Sequence, residues 1–163
     1  MHTLLLGMGN PILSDDAVGV RLVTDLRARF EQAGLPPGLH IREECSVGGL
    51  NLVEVVEGFD RLIVVDSIRT DAGEPGDYYA FTAESLRETC NLNNVHDANF
   101  ATALELGRRL GHRIPAARDT HIFAVEVRDN ITFSERLTPD LEAAYPALCE
   151  SIYEEVRALL GGG

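Results

Sequence analysis

The sequence predicts an α/β fold, a three-layer sandwich in which a twisted, mostly parallel central sheet is flanked by helices. Two nearly continuous apolar runs, Thr3 to Met8 (TLLLGM) and Arg61 to Asp66 (RLIVVD), have the pattern of strands buried on both faces of a parallel sheet. Between and after them, apolar residues recur at helical spacing. Strand and helix segments alternate along the chain, which implies βαβ units rather than an all-β or all-α core.

The first run is closed by Gly9-Asn10-Pro11, which is turn chemistry. Beyond the turn, Val18, Leu22, Leu26 and Phe30 recur every four residues with Val23 beside them, so an amphipathic helix is predicted. Ser14 is placed to cap that helix, with Asp15 and Asp16 in its first turn. Gly34 and Pro36-Pro37 end it. Leu39 to Cys45 reads as a second strand, Ser46 to Gly49 as a turn, and Leu50 to Glu57 as a short helix stopped by Gly58. Arg61 to Asp66 follows as a strand, then a surface turn over Thr70 to Asp77 and a strand at Tyr78 to Phe81. The polar stretch CNLNNVHDAN reads as a loop, with Asp97 or Asn99 capping the helix that carries Phe100, Ala103, Leu104, Gly107 and Leu110. His121 to Val127 is a further strand. Thr138-Pro139 opens a last helix with Leu141, Leu148, Ile152, Val156 and Leu159 as its buried stripe, and Pro146 is expected to kink or split it.

With 163 residues, 45% of them hydrophobic, the chain is long enough for one substantial core and too short for two ordinary domains, so residues 1–163 are expected to form a single domain. The net charge of -12 repels phosphate backbones, so nucleic acid is not an expected partner. No apolar stretch approaches the roughly 20 residues that span a bilayer, and the start lacks the basic front of a secretory signal, so membrane insertion is not expected and the location expected is cytoplasmic. Three cysteines, Cys45, Cys90 and Cys149, show no CxxC spacing and suggest neither a disulfide framework nor a zinc site.

Ligand sites in parallel sheets form beyond the carboxyl ends of the strands. The polar residues there are Asn10, Asp15 and Asp16 after the first strand, Asp66 at the end of RLIVVD, and His96 before the Phe100 helix. Two carboxylates and an imidazole from separate loops would make a three-ligand site for a divalent transition metal with open positions for substrate. Only the fold can bring them together, since they are widely separated in sequence. Plainer readings exist for each: first-turn acids on a helix dipole, a turn residue closing a strand, a loop histidine. Ser46 and Ser67 read as turn residues. Gly7-Met8-Gly9 begins like a dinucleotide fingerprint, but Ile12 stands where the third glycine belongs and Pro11 removes a needed N–H. No G-x-S-x-G elbow or GxxxxGK loop occurs, and no activated nucleophile is visible.

Taken together, GMGNPILSDDAVGVRL at residues 7 to 22, RLIVVDSI at 61 to 68, and VHDANFATALELGRRLG at 95 to 111 resemble the hydrogenase maturation protease family. IFAVEV at 122 to 127 and SERLTPDLEAA at 134 to 144 resemble its closing strand and last helix. The first motif is the most specific. The resemblance implies an endopeptidase of aspartyl type that removes a C-terminal extension from the precursor of a nickel-iron hydrogenase large subunit after nickel insertion. It implies metal contacts at Asp16, Asp66 and His96 and no permanent cofactor, since the substrate supplies the nickel; metal-assisted polarisation of the carbonyl and Asp16 or Asp66 as catalytic general base are both compatible with these residues. Many members carry Glu where this chain has Asp16. The alternative from another class is a non-catalytic metal- or precursor-binding maturation chaperone on the same fold. A nucleoside- or phosphate-handling enzyme is disfavoured by the incomplete glycine pattern and the acidity.

Overall fold

The computed structural model describes the backbone of residues 1–45, 50–88 and 95–162; the side chains of residues 50, 86–88 and 95–99 lie outside the described set. The turn expected at Ser46 to Gly49 and the first half of the polar stretch before the Phe100 helix also lie outside it.

Five strands, β1 (Thr3–Met8), β2 (Leu39–Cys45), β3 (Arg61–Ile68), β4 (Tyr78–Thr82) and β5 (Thr120–Glu126), form one sheet in the order β2-β1-β3-β5-β4. The pairs β1–β2, β1–β3 and β3–β5 are parallel, and only the edge strand β4 is antiparallel, to β5. Among the described residues there are five α-helices: α1 (Val18–Ala33), α2 (Leu50–Val56), α3 (Ala83–Glu88), α4 (Val95–Arg109) and α5 (Pro139–Gly161). The α/β sandwich expected from the sequence is therefore the fold observed.

Strand alternation splits the core into two layers. Leu5, Ile63, Val65, Phe123 and Val125 pack with Leu22, Leu26 and Phe30 of α1 and with Leu141, Leu148 and Ile152 of α5. Leu4, Leu6, Leu62, Val64 and Ile122 face the other way, against Leu52 and Val56 of α2 and Leu104 of α4. Between Leu6 and Met8 the β1–β2 register shifts by one residue, which turns Cys45 to the α2 and α4 layer although Leu39 packs on the α1 layer.

Three local expectations are corrected. Ser14 caps nothing: Ser14–Ala17 is a 3-10 turn ahead of α1, Ser14 has φ 45, and its hydroxyl donates to the Arg136 carbonyl at 3.2 Å. Pro146 does not split α5, which runs unbroken over 23 residues. The proline lies on the exposed face, so the carbonyl it frees can reach water, while Leu141, Tyr145, Leu148 and Cys149 bury the opposite face on both sides of it. Finally, α4 begins at Val95, so Asp97 and Asn99 lie within the helix rather than at its cap. The short α3 has no clear apolar period in the sequence and is an addition to the expected elements.

Two glycines fix how the first loop sits on the sheet. A Cβ on Gly19 would lie 2.4 Å from the Val65 carbonyl oxygen and 2.5 Å from that of Met8, so α1 starts in direct backbone contact with β1 and β3. Gly9 has φ +138, and a Cβ there would lie 2.1 Å from the Asp16 carbonyl oxygen. Gly19→Ala gains about 1 kcal/mol of helix propensity. Overpacking against two immobile backbone carbonyls costs more, and a net loss of roughly 1–3 kcal/mol is expected in urea denaturation.

Candidate active site

The chain leaves β1 toward β2 on one side and returns to β3 on the other, so the crevice between the carboxyl ends of β1 and β3 is the topological switch point of the sheet. Both predicted acids lie there. Asp16 comes from the 3-10 turn after β1 and Asp66 from the last turn of β3, which continues to Ile68 rather than ending at the acid. Each is partly buried.

Ser67 joins them. Its hydroxyl donates to Asp16 Oδ1 at 2.7 Å, and its backbone N–H donates to Asp66 Oδ1 at 2.7 Å. The two carboxylates are thus no further apart than two hydrogen bonds and the width of one serine. Ser67 is a strand residue and not the turn residue expected. Strand alternation turns it toward the α1 layer, where Asp16 lies, and turns Asp66 toward the layer of α2 and α4. Asp16 Oδ2 accepts the Asn10 N–H at 2.8 Å. A carboxylate has about four lone-pair sites, so two acceptor directions of Asp16 remain for a ligand.

His96 stands in the first turn of α4. The segment after that helix returns to the amino end of β3, where Gly58 N–H bonds the Arg113 carbonyl at 2.7 Å and Arg113 bonds Asp60 at 3.0 Å. The helix is about 22 Å long. The His96 side chain is outside the described set, and among the described residues no group of three His, Cys, Asp or Glu is placed to hold a metal ion.

Asp15, adjacent to Asp16, has an entirely different environment. It is fully buried and accepts the N–H groups of Arg128 (3.0 Å), Asp129 (3.1 Å) and Thr138 (2.6 Å) and the Thr138 hydroxyl (2.8 Å). It ties the 3-10 turn to the β5–α5 connection and leaves Asp16 alone to face the crevice. Nearby, the Asp129 carboxyl is held down at about 2 by bonds from the Thr132 side chain and the N–H groups of Thr132 and Ile131.

Sequence reasoning also missed Glu126. At the end of β5 it is 1% exposed and accepts the Thr70 N–H at 2.9 Å, the Thr70 hydroxyl and the Tyr79 hydroxyl, so it clasps the loop that follows β3. The signal was present as one carboxylate inside the apolar run IFAVEV, because glutamate is almost never fully buried without partners.

Ser67→Ala removes the hydroxyl that orients Asp16 but keeps the N–H that holds Asp66. A stability loss of about 1 kcal/mol is expected. Activity of the site is expected to fall roughly tenfold, and Ser67→Thr, which keeps the hydroxyl, recovers most of it. Turnover rates of the two variants beside wild type check this.

A doubly wound α/β fold with two carboxylates at its switch point has its candidate site where open α/β sheets bind ligands. Comparison with known proteins supplies the class. A sequence-family profile for hydrogenase maturation proteases matches residues 20–155, and the chain belongs to that family; it is a hydrogenase maturation endopeptidase, a peptide hydrolase. It is 28% identical over 166 residues to the hydrogenase 2 maturation protease of Escherichia coli strain K12, covering 96% of each chain. The solved structure of the hydrogenase maturating endopeptidase HybD from E. coli superposes with a TM-score of 0.73 at 25% identity, over 97% of this chain and 93% of that one. The [NiFe] hydrogenase maturation protease HybD from Thermococcus kodakarensis shares the fold with a TM-score of 0.72 at 22% identity, over 96% and 99%. Among the described residues no helix is long and apolar enough to cross a membrane.

Proposed function

We propose that this endopeptidase removes the C-terminal extension of a nickel-iron hydrogenase large-subunit precursor after nickel insertion, and that Asp16, Asp66 and His96 recognise the nickel carried by that substrate. The observation that carries the reading is the link through Ser67, which holds two carboxylates from separate elements at one crevice. In this reading His96, in the first turn of α4, supplies the nitrogen donor.

Oxygen and imidazole-nitrogen donors suit nickel, and three of them leave coordination positions for the groups that already hold the ion on the precursor. The protease then needs no permanent cofactor, and a precursor without nickel binds poorly. For hydrolysis, Asp16 or Asp66 takes a proton from water as the new C–O bond forms on the scissile carbonyl carbon. The C–N bond breaks and the proton passes to the leaving amine. Polarisation of the carbonyl by the substrate's own nickel is compatible with the same residues. This is aspartate-based chemistry, and the intended partner is the precursor in the cytoplasm rather than nucleic acid or lipid.

Mass spectrometry of a nickel-loaded large-subunit precursor, incubated with and without the protein, tests the reading. Loss of the C-terminal extension is expected only with protein and nickel together, with casein left intact. His96→Ala should remain folded, within roughly 0.5 kcal/mol if the site is exposed, and should process the loaded precursor far more slowly. Equal cleavage of nickel-free precursor would remove nickel recognition from the proposal. An uncut loaded precursor would favour a binding role without catalysis.

A further inference from the structure

We propose that Ile12, Ile131 and Phe133 form a docking surface for an apolar, extended stretch of the precursor polypeptide next to its scissile bond. This rests on the proposed function above and extends it to how the peptide is held. The three are 48%, 71% and 80% exposed and account for three of the eight exposed large hydrophobic residues among those described. Single exposed apolar side chains are ordinary, but neighbouring ones beside a reactive crevice are a recognition feature.

Their backbones are joined. The Ser134 N–H donates to the Ile12 carbonyl at 2.9 Å, the Ser14 N–H donates to the Ser134 carbonyl at 2.9 Å, and Leu13 bridges Ser134 as a short parallel pair. The platform is continuous with the carboxylate crevice through one residue: Asn10 donates its N–H to Asp16 and accepts the Ile12 N–H on its side-chain oxygen at 3.1 Å. Ile12 follows Asn10 by two residues, so the two Cα atoms lie at most about 7 Å apart.

The platform is also preorganised. Asp129 Oδ1 accepts the N–H groups of Ile131 (3.0 Å) and Thr132 (2.9 Å), and Asp15 holds the backbone at Arg128 and Asp129. The ionised Asp129 carboxyl persists down to a pH of about 2, so this clasp is intact at neutral pH. A loop with its backbone bonded and its large apolar side chains directed to solvent loses little entropy when a peptide covers it. A polypeptide fits better than a compact small molecule, because the surface is an open rim continuous with the catalytic crevice and not an enclosed cavity.

The test uses Phe133→Ser, Ile131→Ser and the triple variant that adds Ile12→Ser, each in the full chain. Steady-state processing of nickel-loaded precursor should show kcat/KM lowered about tenfold for Phe133→Ser and more for the triple variant, carried mainly by KM. Rapid-mixing binding of the same precursor to the wild-type and triple-variant proteins, read before turnover, should show a matching loss of affinity. Unchanged KM and unchanged affinity in the triple variant would overturn the proposal while leaving the protease reading intact. An inactive wild-type protein would count against the protease reading, and the binding comparison would still decide the docking surface. Sedimentation supplies a further arm: if the triple variant only converts a wild-type dimer to monomer, with precursor binding unchanged, the surface serves self-association and the proposal fails.

Discussion

Asp16→Asn is expected to slow processing of nickel-loaded precursor by about a thousandfold or more while the protein stays folded. The two effects separate because of what surrounds the side chain. Asp16 accepts one backbone N–H, from Asn10, and one hydroxyl, from Ser67. An asparagine can keep its oxygen toward Asn10 and turn its amide nitrogen toward Ser67, whose hydroxyl can rotate to accept a hydrogen bond. The local network survives, and stability should change by no more than about 1 kcal/mol. The negative charge does not survive. A neutral amide is a poor ligand for a transition metal and has no basicity with which to take a proton from water, and general-base loss alone typically costs roughly 10²–10⁴ in rate. Thermal unfolding and single-turnover cleavage of the same preparation check both halves. A variant that cleaves at the wild-type rate would show that Asp16 neither contacts the nickel nor activates water.

Asp15→Ala should have the opposite outcome. Its carboxylate is fully buried and receives four donors, three of them backbone N–H groups from the β5–α5 connection. Alanine leaves those N–H groups facing a void, at a cost of about 1–3 kcal/mol each where water cannot reach. A total of about 4 kcal/mol is expected, a large share of the roughly 5–15 kcal/mol that holds a typical domain together. Asparagine does not rescue this position. Whichever way the amide is turned, its NH₂ confronts at least one backbone N–H that cannot accept, so a loss of about 2 kcal/mol remains. Denaturant midpoints, measured together, should rank Asp15→Ala lowest, Asp15→Asn between, and Asp16→Asn near wild type. Equal stability of Asp15→Ala and wild type would mean that water or a local shift satisfies the donors.

That contrast shows what could be read in advance and what could not. The strands were legible because buried parallel strands are continuously apolar, and Asp16 and Asp66 stood out as carboxylates directly beyond such runs. Which of two adjacent acids faces the crevice was not legible without the family motif, because the partners that bury Asp15 lie 113 to 123 positions later in the chain. Ser67 looked like a turn residue because β3 was expected to end at Asp66; two more strand residues turn its hydroxyl toward Asp16. The start of α4 was misplaced because VHDAN has the composition of a loop, and helical backbone there runs against local preference. Pro146 misled in the other direction: an internal proline breaks a helix most surely where its freed carbonyl is buried, and here it faces solvent.

The ties made by Asp15 also bear on when the enzyme comes into being. β1 pairs with β3 some sixty residues on, β3 with β5 about as far again, and the loop bearing Asp16 is anchored by groups as late as Thr138. Every central pairing closes a long loop, so folding of this topology is expected to be slow compared with a helical bundle of the same size. A nascent chain that has emerged only as far as β3 already contains Asp16 and Asp66 but lacks the Arg128, Asp129 and Thr138 donors that tie the first turn down through Asp15. The rim that carries both aspartates is therefore among the last parts of the molecule to become fully ordered during synthesis, and a truncated product ending before residue 128 would carry both aspartates without the ties made by Asp15.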